Sequence, residues 1–206
     1  MSHIMSALAK ANEHRFCSKF GIEYTDRNFA HERSEAGHEI AAQIERLDAK
    51  TVLEIGCNSG DNLADPTWWD RVLIGTDVQS YALEIAKKRL PNAVIMVNNV
   101  LDGLPFLDSS IDVVFTCGVL IHIPPADLHY AISEMWRVAR IGIIACEYQV
   151  DGAAEFKTID WRGQTSALWK GDYFSAIKSV IGSDYKSITR KTIESINAEM
   201  MVFEKK

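Results

Sequence analysis

An apolar strand pattern that runs directly into a glycine turn constrains the fold of this chain most. The segment Thr51–Ile55 is followed by Gly56 and Gly60, and a second apolar run ends at Asp77. Glycine in such a turn lets the backbone bend sharply and approach a ligand closely. An acid at the tip of the next strand, about 20 residues beyond a glycine turn, suits the two hydroxyls of a ribose. The pattern therefore predicts an adenosine-binding pocket.

The residues within this turn favour a cofactor that has no pyrophosphate. A dinucleotide fingerprint requires glycine at its first, third and sixth positions, which here are Gly56, Asn58 and Asp61. The Asn58 side chain and the Asp61 charge both oppose a pyrophosphate. S-adenosylmethionine carries cationic sulfonium and ammonium groups instead, and Glu54 adds negative charge beside the turn. Asn58 also tolerates left-handed backbone. We therefore expect S-adenosylmethionine, with a nicotinamide-dependent oxidoreductase as the less favoured alternative.

Composition and charge restrict the partners of this chain. Its 206 residues suit a single domain, and its net charge of −6 argues against a protein that coats nucleic acid. No apolar run approaches the roughly 20 residues that span a bilayer, and no signal-peptide pattern follows Met1 or Met5, both candidate start residues. The four cysteines show no metal-ligand spacing, which favours reduced thiols. We expect a cytoplasmic protein with no metal, membrane or nucleic-acid partner, and the oligomeric state stays open.

Strand and helix patterns alternate along the chain. Helix patterns occupy 34–47, 81–90 and the segment after Pro124–Pro125, and 62–70 reads as a turn or short helix interrupted by Pro66. Strand patterns occupy 51–55, 71–76, 93–97, 111–116 and 141–146, and the runs 187–193 and 200–204 read as a hairpin. This order predicts an α/β, Rossmann-like, doubly wound and mostly parallel seven-stranded sheet with a C-terminal antiparallel hairpin.

The predicted domain has three parts. Residues 1–48 form a helical cap or lid, 49–148 the cofactor-binding core, and 149–206 an acceptor-side insertion followed by the closing hairpin. Ligands of doubly wound sheets bind beyond the carboxyl ends of the strands. Polar or glycine-containing segments follow the predicted strands at Gly56, Asp77, 98–99, 117–118 and 147–148.

These motifs resemble those of class I S-adenosylmethionine-dependent methyltransferases, over roughly residues 51–148. The segment 52–60 matches their first motif, Asp77 their ribose-binding acid, and 104–115 the run into the fourth strand. The resemblance implies that Asp77 holds the ribose hydroxyls and that Val78 packs on the adenine. It also implies that 99–101 reads the adenine edge, with Asn98 or Asn99 in the place of the usual aspartate.

A narrower set of segments is similar to the pseudaminic acid biosynthesis-associated methylases, which are linked to bacterial nonulosonic-acid sugars and cell-surface glycans. These segments are 20–28, 118–124, 147–148, 161–163 and 168–172. The chain departs from that family at Trp161, where tyrosine is usual, and at Gln149, where a second tyrosine is usual. The similarity implies methyl transfer to an oxygen or nitrogen of a small molecule such as a nonulosonic-acid-type or nucleotide-linked sugar.

Three residues are candidates for chemistry on the acceptor. His122 follows the fourth strand and titrates near neutral pH, so it is a candidate general base or a structural helix-start residue. Glu147 and Tyr148 end the fifth strand and would face the same crevice, where they could bind or orient the acceptor or serve as edge residues. A natural-product acceptor and a catalytically silent binding module remain alternatives.

Two further groups complete the predicted site. Tyr24 and Arg27 would belong to the lid, with Arg27 pairing with the methionine carboxylate or lying in solvent. Arg162, Trp169 and Lys170 would bind the acceptor or only cover the core. The predicted cofactor-binding residues are Tyr24, Arg27, Glu54, Gly56, Cys57, Asn58, Gly60, Asp77, Val78, Asn99, Val100, Leu101 and Cys117.

Overall fold

The computed structural model of the chain describes residues 3–29, 34–65, 68, 70–148 and 155–206. Its α-helices are α1 (Ala7–Phe16), α2 (Lys19–Asn28), α3 (Glu35–Arg46), α4 (Ser80–Arg89), α5 (Pro125–Val138) and α6 (Tyr173–Ile181). Its strands are β1 (Thr51–Ile55), β2 (Val72–Asp77), β3 (Val94–Val97), β4 (Ile111–Cys117), β5 (Ala139–Tyr148), β6 (Lys157–Trp161), β7 (Gln164–Lys170), β8 (Tyr185–Ile193) and β9 (Ala198–Lys205).

Seven of these strands form one sheet in the order β3-β2-β1-β4-β5-β9-β8. Strands β1 to β5 pair in parallel, and β9 pairs antiparallel with both β5 and β8. The predicted fold class, including the antiparallel hairpin, is therefore confirmed. The strand order reverses between β1 and β4, which opens a crevice beyond their carboxyl ends.

The central strands are buried on both faces, as the continuous apolar runs of β1 and β4 require. Val52 and Val113 face one core layer, which α3 covers, whereas Leu53 and Val114 face the other, which α5 covers. This two-sided burial fixes the sheet and holds its carboxyl edge in place.

The N-terminal segment that was predicted as a helical cap contains three helices. Ser6, Ser18 and Ser34 each cap the N-terminus of one of them by accepting a backbone N–H, which is the preferred role of serine at that position. The helix α3 packs into the core, and α1 and α2 lie over the crevice.

Two other segments differ from expectation or extend it. The described residues 56–63 form turns without a helix, and Pro66 lies outside the described residues. In the predicted insertion, β6 and β7 pair as a separate two-stranded sheet, and residues 149–154 lie outside the described part of the chain. Among the described helices, none is both long and apolar enough to cross a membrane.

Candidate functional site

A cavity of about 350 Å³ lies beyond the carboxyl ends of β1, β2 and β4, under the helices α1 and α2. Most of the predicted cofactor-binding residues line it. These are Tyr24, Glu54, Gly56, Cys57, Asn58, Asp77, Val78, Asn99, Val100, Leu101 and Cys117. Residues as far apart in the sequence as Tyr24 and Cys117, 93 positions, therefore meet in one place, as the sheet topology requires.

The glycine turn after β1 forms the floor of the cavity. Gly56 has φ +70°, and a Cβ added there would lie 2.5 Å from Val119 Cγ2. Asn58 has φ +46°, the left-handed conformation that was expected for it. The turn is anchored to β2 because the Cys57 amide donates to the Thr76 carbonyl at 2.9 Å. Glycine is thus required at position 56 for both conformation and space.

Asp77 at the end of β2 joins this turn to the next loop. Its Oδ2 accepts from the Asn58 amide at 2.9 Å, and its Oδ1 accepts from the Gln79 amide at 2.8 Å. Burial raises the pKa of this carboxyl, and bonds from backbone amides partly offset that effect. Each carboxylate oxygen has a further lone pair for a donor in the cavity.

Glu54 supplies a second carboxylate at the floor. It is 1% exposed, lines the cavity, and accepts from Asn62 Nδ2 at 2.7 Å. With Asp77, it makes this end of the cavity favourable for a cationic ligand and unfavourable for an anionic one.

Within the described part of the chain, four buried polar atoms of cavity-lining residues find no hydrogen-bond partner. They are Thr25 Oγ1, Asn58 Oδ1, Asn98 Oδ1 and His122 Nδ1. Buried polar groups are almost always hydrogen-bonded, because an unpaired one costs about 1–3 kcal/mol. Their concentration around one cavity predicts a polar ligand there.

The helices α1 and α2 form the roof of the cavity, and the end of α1 is hydrogen-bonded to the loop that follows Asp77. Gln79 Nε2 donates to the Phe16 carbonyl at the end of α1, and Gln79 Oε1 accepts from the Tyr81 amide at 3.0 Å. A Cβ at Gly21 would lie 1.7 Å from the Phe16 carbonyl oxygen. Neither Gln79 nor Gly21 was predicted as a site residue, although a glycine inside a helical segment signals close packing.

His122 lines the same cavity as the predicted cofactor-binding residues. It ends the 3₁₀ turn Leu120–His122, and its ring lies 4.6 Å from Phe16 and 6.3 Å from Trp161 between centroids. Burial lowers the pKa of the imidazole to about 4. The expectation that it titrates near neutral pH is therefore wrong, and the ring is neutral at physiological pH.

Glu147 does not face the crevice as expected. It is fully buried, does not line the cavity, and its carboxylate accepts backbone N–H groups of Val119, Leu120 and Ile121. Burial outweighs these bonds and raises its pKa to about 7. Tyr148 is half-buried outside the cavity lining.

Gly60 and Arg27, both predicted to bind the cofactor, lie outside the cavity lining. Gly60 has φ +78°, and a Cβ there would lie 2.7 Å from Leu90 Cδ1, so this glycine allows close packing against α4. Arg27 is exposed on α2. The sequence spacing correctly signalled a tight backbone at position 60 but not what it packs against.

The three predicted acceptor-binding residues also lie outside the cavity lining, on the β6–β7 hairpin. Arg162 is exposed at the turn, with its guanidinium carbon 5.5 Å from the Trp161 ring centroid. Trp169 is 4% exposed, and Lys170 Nζ lies 5.4 Å from the Tyr148 ring centroid. Trp169 therefore belongs to the hairpin's packing.

The described residues contain no group of three or more His, Cys, Asp or Glu side chains that could hold a metal ion. The carboxylates of Glu54 and Asp77 are instead bonded to Asn62 Nδ2 and to backbone amides, respectively.

Comparison with known proteins finds methyltransferases. Residues 52–142 match a family model described as a methyltransferase domain. The trans-aconitate 2-methyltransferase of Afipia carboxidovorans is 31% identical over 98 residues, which are 47% of this chain and 38% of that protein. The demethylmenaquinone methyltransferase of Roseiflexus sp. strain RS-1 is 37% identical over 99 residues, which are 46% of this chain and 40% of that protein. The matched segments thus span about two fifths of each relative.

Solved structures share the fold across nearly the whole chain. Magnesium protoporphyrin IX methyltransferase from Synechocystis PCC 6803, solved with bound SAM, superposes with a TM-score of 0.71 at 13% identity. The superposition covers 98% of both chains. The similarity to pseudaminic acid biosynthesis-associated methylases is not confirmed by these comparisons.

Proposed function

We propose that this protein, whose core is a class I S-adenosylmethionine-dependent methyltransferase domain, transfers a methyl group to an oxygen or nitrogen of a small molecule. One observation carries the proposal: a single cavity joins the glycine turn, the carboxylates Glu54 and Asp77, and four buried polar atoms without partners. This combination suits a ligand that has a ribose, a hydrogen-bonding base and a cationic end.

The adenosine half of the cofactor fits the loops after β2 and β3. Asp77 would accept from the ribose hydroxyls, and Val78 and Leu101 would pack on the base. Asn99 is committed to its own turn, because its Oδ1 accepts from the Leu101 amide at 3.0 Å. Asn98 Oδ1 is buried and unpartnered. Of the two asparagines considered for the adenine edge, we therefore assign Asn98.

The methionine half fits the end of the cavity that holds Glu54 and Asn58. The cofactor supplies a methyl group activated by its sulfonium, so the protein mainly has to align and desolvate the reactants. The helices α1 and α2 cover one side of the cavity, and His122 lies among its lining residues. With its low pKa, the neutral imidazole can accept a hydrogen bond from a hydroxyl or amine of the acceptor and orient it.

The oxidoreductase alternative lacks structural support. Helix N-termini commonly bind the pyrophosphate of a dinucleotide, but the described residues between β1 and β2 form no helix. The Asn58 side chain occupies the position where the fingerprint requires glycine.

The names of the relatives support a small-molecule acceptor. They denote methyltransferases for trans-aconitate and for demethylmenaquinone. We propose a nonulosonic-acid-type or nucleotide-linked sugar as the first class to test, because of the motif similarity and because the hairpin beside His122 carries Arg162 and Lys170. A natural product with an unrelated skeleton is the second class.

Calorimetric titration tests the cofactor assignment. We expect S-adenosylhomocysteine to bind measurably, and NAD⁺ and NADH to bind at least tenfold more weakly, because Asn58 and the carboxylates oppose a pyrophosphate. ATP serves as a control for any adenine nucleotide. Tighter binding of NAD⁺ or NADH would reject the assignment.

A further inference from the structure

We propose that Glu147 is a positioning residue, whose buried carboxylate holds the turn after β4 in the conformation that places His122 against the cavity. The inference rests on the proposed function only for its effect on methyl transfer. Its effect on the His122 ring can be measured independently.

The carboxylate binds three successive amides. Glu147 Oε1 accepts from the amides of Val119 at 3.2 Å and Leu120 at 3.1 Å, and Oε2 accepts from the Ile121 amide at 3.4 Å. Glu147 is 0% exposed. A carboxylate is costly to bury unless it is hydrogen-bonded, and bonds to a charged acceptor are stronger than neutral ones. These bonds stabilise a buried acid near the end of a mostly apolar strand and join that end of the strand to the turn.

The bound turn determines the positions of two cavity-lining residues. The His122 amide donates to the Val119 carbonyl at 2.9 Å, which closes the turn, and the Gly118 amide donates to the Cys146 carbonyl at 2.8 Å, which anchors its start. The Val119 side chain lies against Gly56. A movement of the turn would therefore displace both the wall over the glycine turn and His122.

We infer a single tautomer for the His122 ring from its neighbours. The Ala167 carbonyl on β7 lies near the ring and favours a ring N–H directed at it. Because Nδ1 finds no partner among the described residues, we assign this N–H to Nε2, and Nδ1 keeps its lone pair. Asn12 Nδ2 donates to the His122 carbonyl at 2.8 Å. The bonds of Glu147 to the turn, the contact with α1 and the contact with the β6–β7 hairpin together fix the position of the ring.

A buried acid could also serve the fold alone, and Asp112 provides the matched control. Asp112 is 4% exposed and accepts from the amides of Lys50 at 2.8 Å and Thr51 at 3.1 Å. It lies at the amino-terminal end of β4, at the opposite edge of the sheet from the cavity. Both carboxylates bind backbone amides, but only that of Glu147 holds a turn that lines the cavity.

The experiment compares wild type, Glu147→Ala, Glu147→Gln, Glu147→Asp and Asp112→Asn. Nitrogen-15 NMR of labelled histidine with S-adenosylhomocysteine bound reports the His122 tautomer, and separate methyl-transfer assays with S-adenosylmethionine report kcat and KM. In the wild type, we expect protonated Nε2 and unprotonated Nδ1. Glu147→Ala should lose this single tautomer and lower kcat about 10–100-fold, because a small misplacement of an aligning group is costly.

The other variants separate positioning from stability. Glu147→Gln keeps the reach and one accepting oxygen for the Val119 and Leu120 amides and loses only the longest bond, from the Ile121 amide at 3.4 Å, so it should retain the tautomer and most of kcat. Glu147→Asp keeps a carboxylate but is one methylene too short to reach these amides, and it should resemble Glu147→Ala. Asp112→Asn should lower thermal stability and leave both readouts unchanged.

The proposal is overturned if folded Glu147→Ala keeps the wild-type tautomer and kcat. If Glu147→Ala does not fold, Glu147→Asp decides by the same criterion. If the wild type shows the predicted tautomer and Glu147→Ala loses it while no methyl transfer occurs in any sample, the positioning stands and the proposed function fails.

Discussion

Gly56→Ala is expected to destabilise the fold by about 2–5 kcal/mol and to lower cofactor affinity at least tenfold. The left-handed backbone at φ +70° costs a residue with a Cβ about 1–2 kcal/mol, and the new methyl would overlap Val119 Cγ2 at 2.5 Å, an overpacking that costs about 1–3 kcal/mol. Because Gly56 lines the cavity, either adjustment moves the cofactor site. Denaturant unfolding and calorimetry with S-adenosylhomocysteine measure the two effects.

Gly163→Ala is the matched control for backbone strain. Gly163 has φ +75°, and a Cβ there meets nothing within 4 Å. Gly163→Ala should therefore lower stability only by the cost of left-handed backbone, about 1–2 kcal/mol, and should not change cofactor affinity. Val119→Ala, combined with Gly56→Ala, should recover part of the loss through a favourable coupling. If Gly56→Ala and Gly163→Ala lowered the free energy of unfolding equally, and Val119→Ala recovered none of the loss at position 56, the close approach of Gly56 to Val119 would be unimportant.

Asp77→Ala is expected to weaken S-adenosylhomocysteine binding about 10- to 150-fold. Hydrogen bonds to a charged group contribute roughly 1.5–3 kcal/mol, and the proposed ribose contacts would be lost. The amides of Asn58 and Gln79 would also lose their acceptor, so the glycine turn and the roof would loosen together. Calorimetry measures the affinity, and circular dichroism checks that the fold persists.

Glu84→Gln controls for loss of a negative charge nearby. Glu84 lies on α4, pairs with Lys87 at the surface, and does not line the cavity. Its removal should change the dissociation constant less than twofold. If Asp77→Ala and Glu84→Gln bind S-adenosylhomocysteine as tightly as the wild type, Asp77 does not hold the ribose.

The sheet and most of the residues that line the cavity could be predicted because their signals are local. Apolar runs mark β1 and β4, and the spacing from Gly56 to Asp77 reflects one strand–turn–strand unit. Such units follow fixed topological rules, so residues at strand ends can be assigned to the same edge.

The predictions that failed concern contacts between segments that are distant in the sequence. The pKa of His122 depends on burial beside Phe16 and Trp161, which come from α1 and β6. Gln79 contacts a carbonyl 63 positions away. Glu147 was correctly placed at the end of its strand, but local pattern does not reveal whether a strand-end side chain turns toward the crevice or toward a neighbouring turn.

Gly60 shows a different limit of prediction from the sequence. Its positive φ is an intrinsic property of the turn, and the glycine signals it. Whether the space is filled by a ligand or by Leu90 is decided by the packing of α4. A glycine therefore predicts close approach but not the identity of what approaches.

Methyl transfer from labelled cofactor is the most direct test of the proposed function. The protein is incubated with S-adenosylmethionine that carries an isotopically labelled methyl group and with metabolite extracts, beginning with nucleotide-linked and nine-carbon acidic sugars. Mass spectrometry then follows S-adenosylhomocysteine and labelled products. We predict equal amounts of S-adenosylhomocysteine and of a product that carries the labelled methyl group, both reduced at least tenfold with Asp77→Ala at limiting cofactor. Tight binding of S-adenosylhomocysteine without labelled product from any fraction would contradict the proposal and indicate a binding module that does not catalyse transfer.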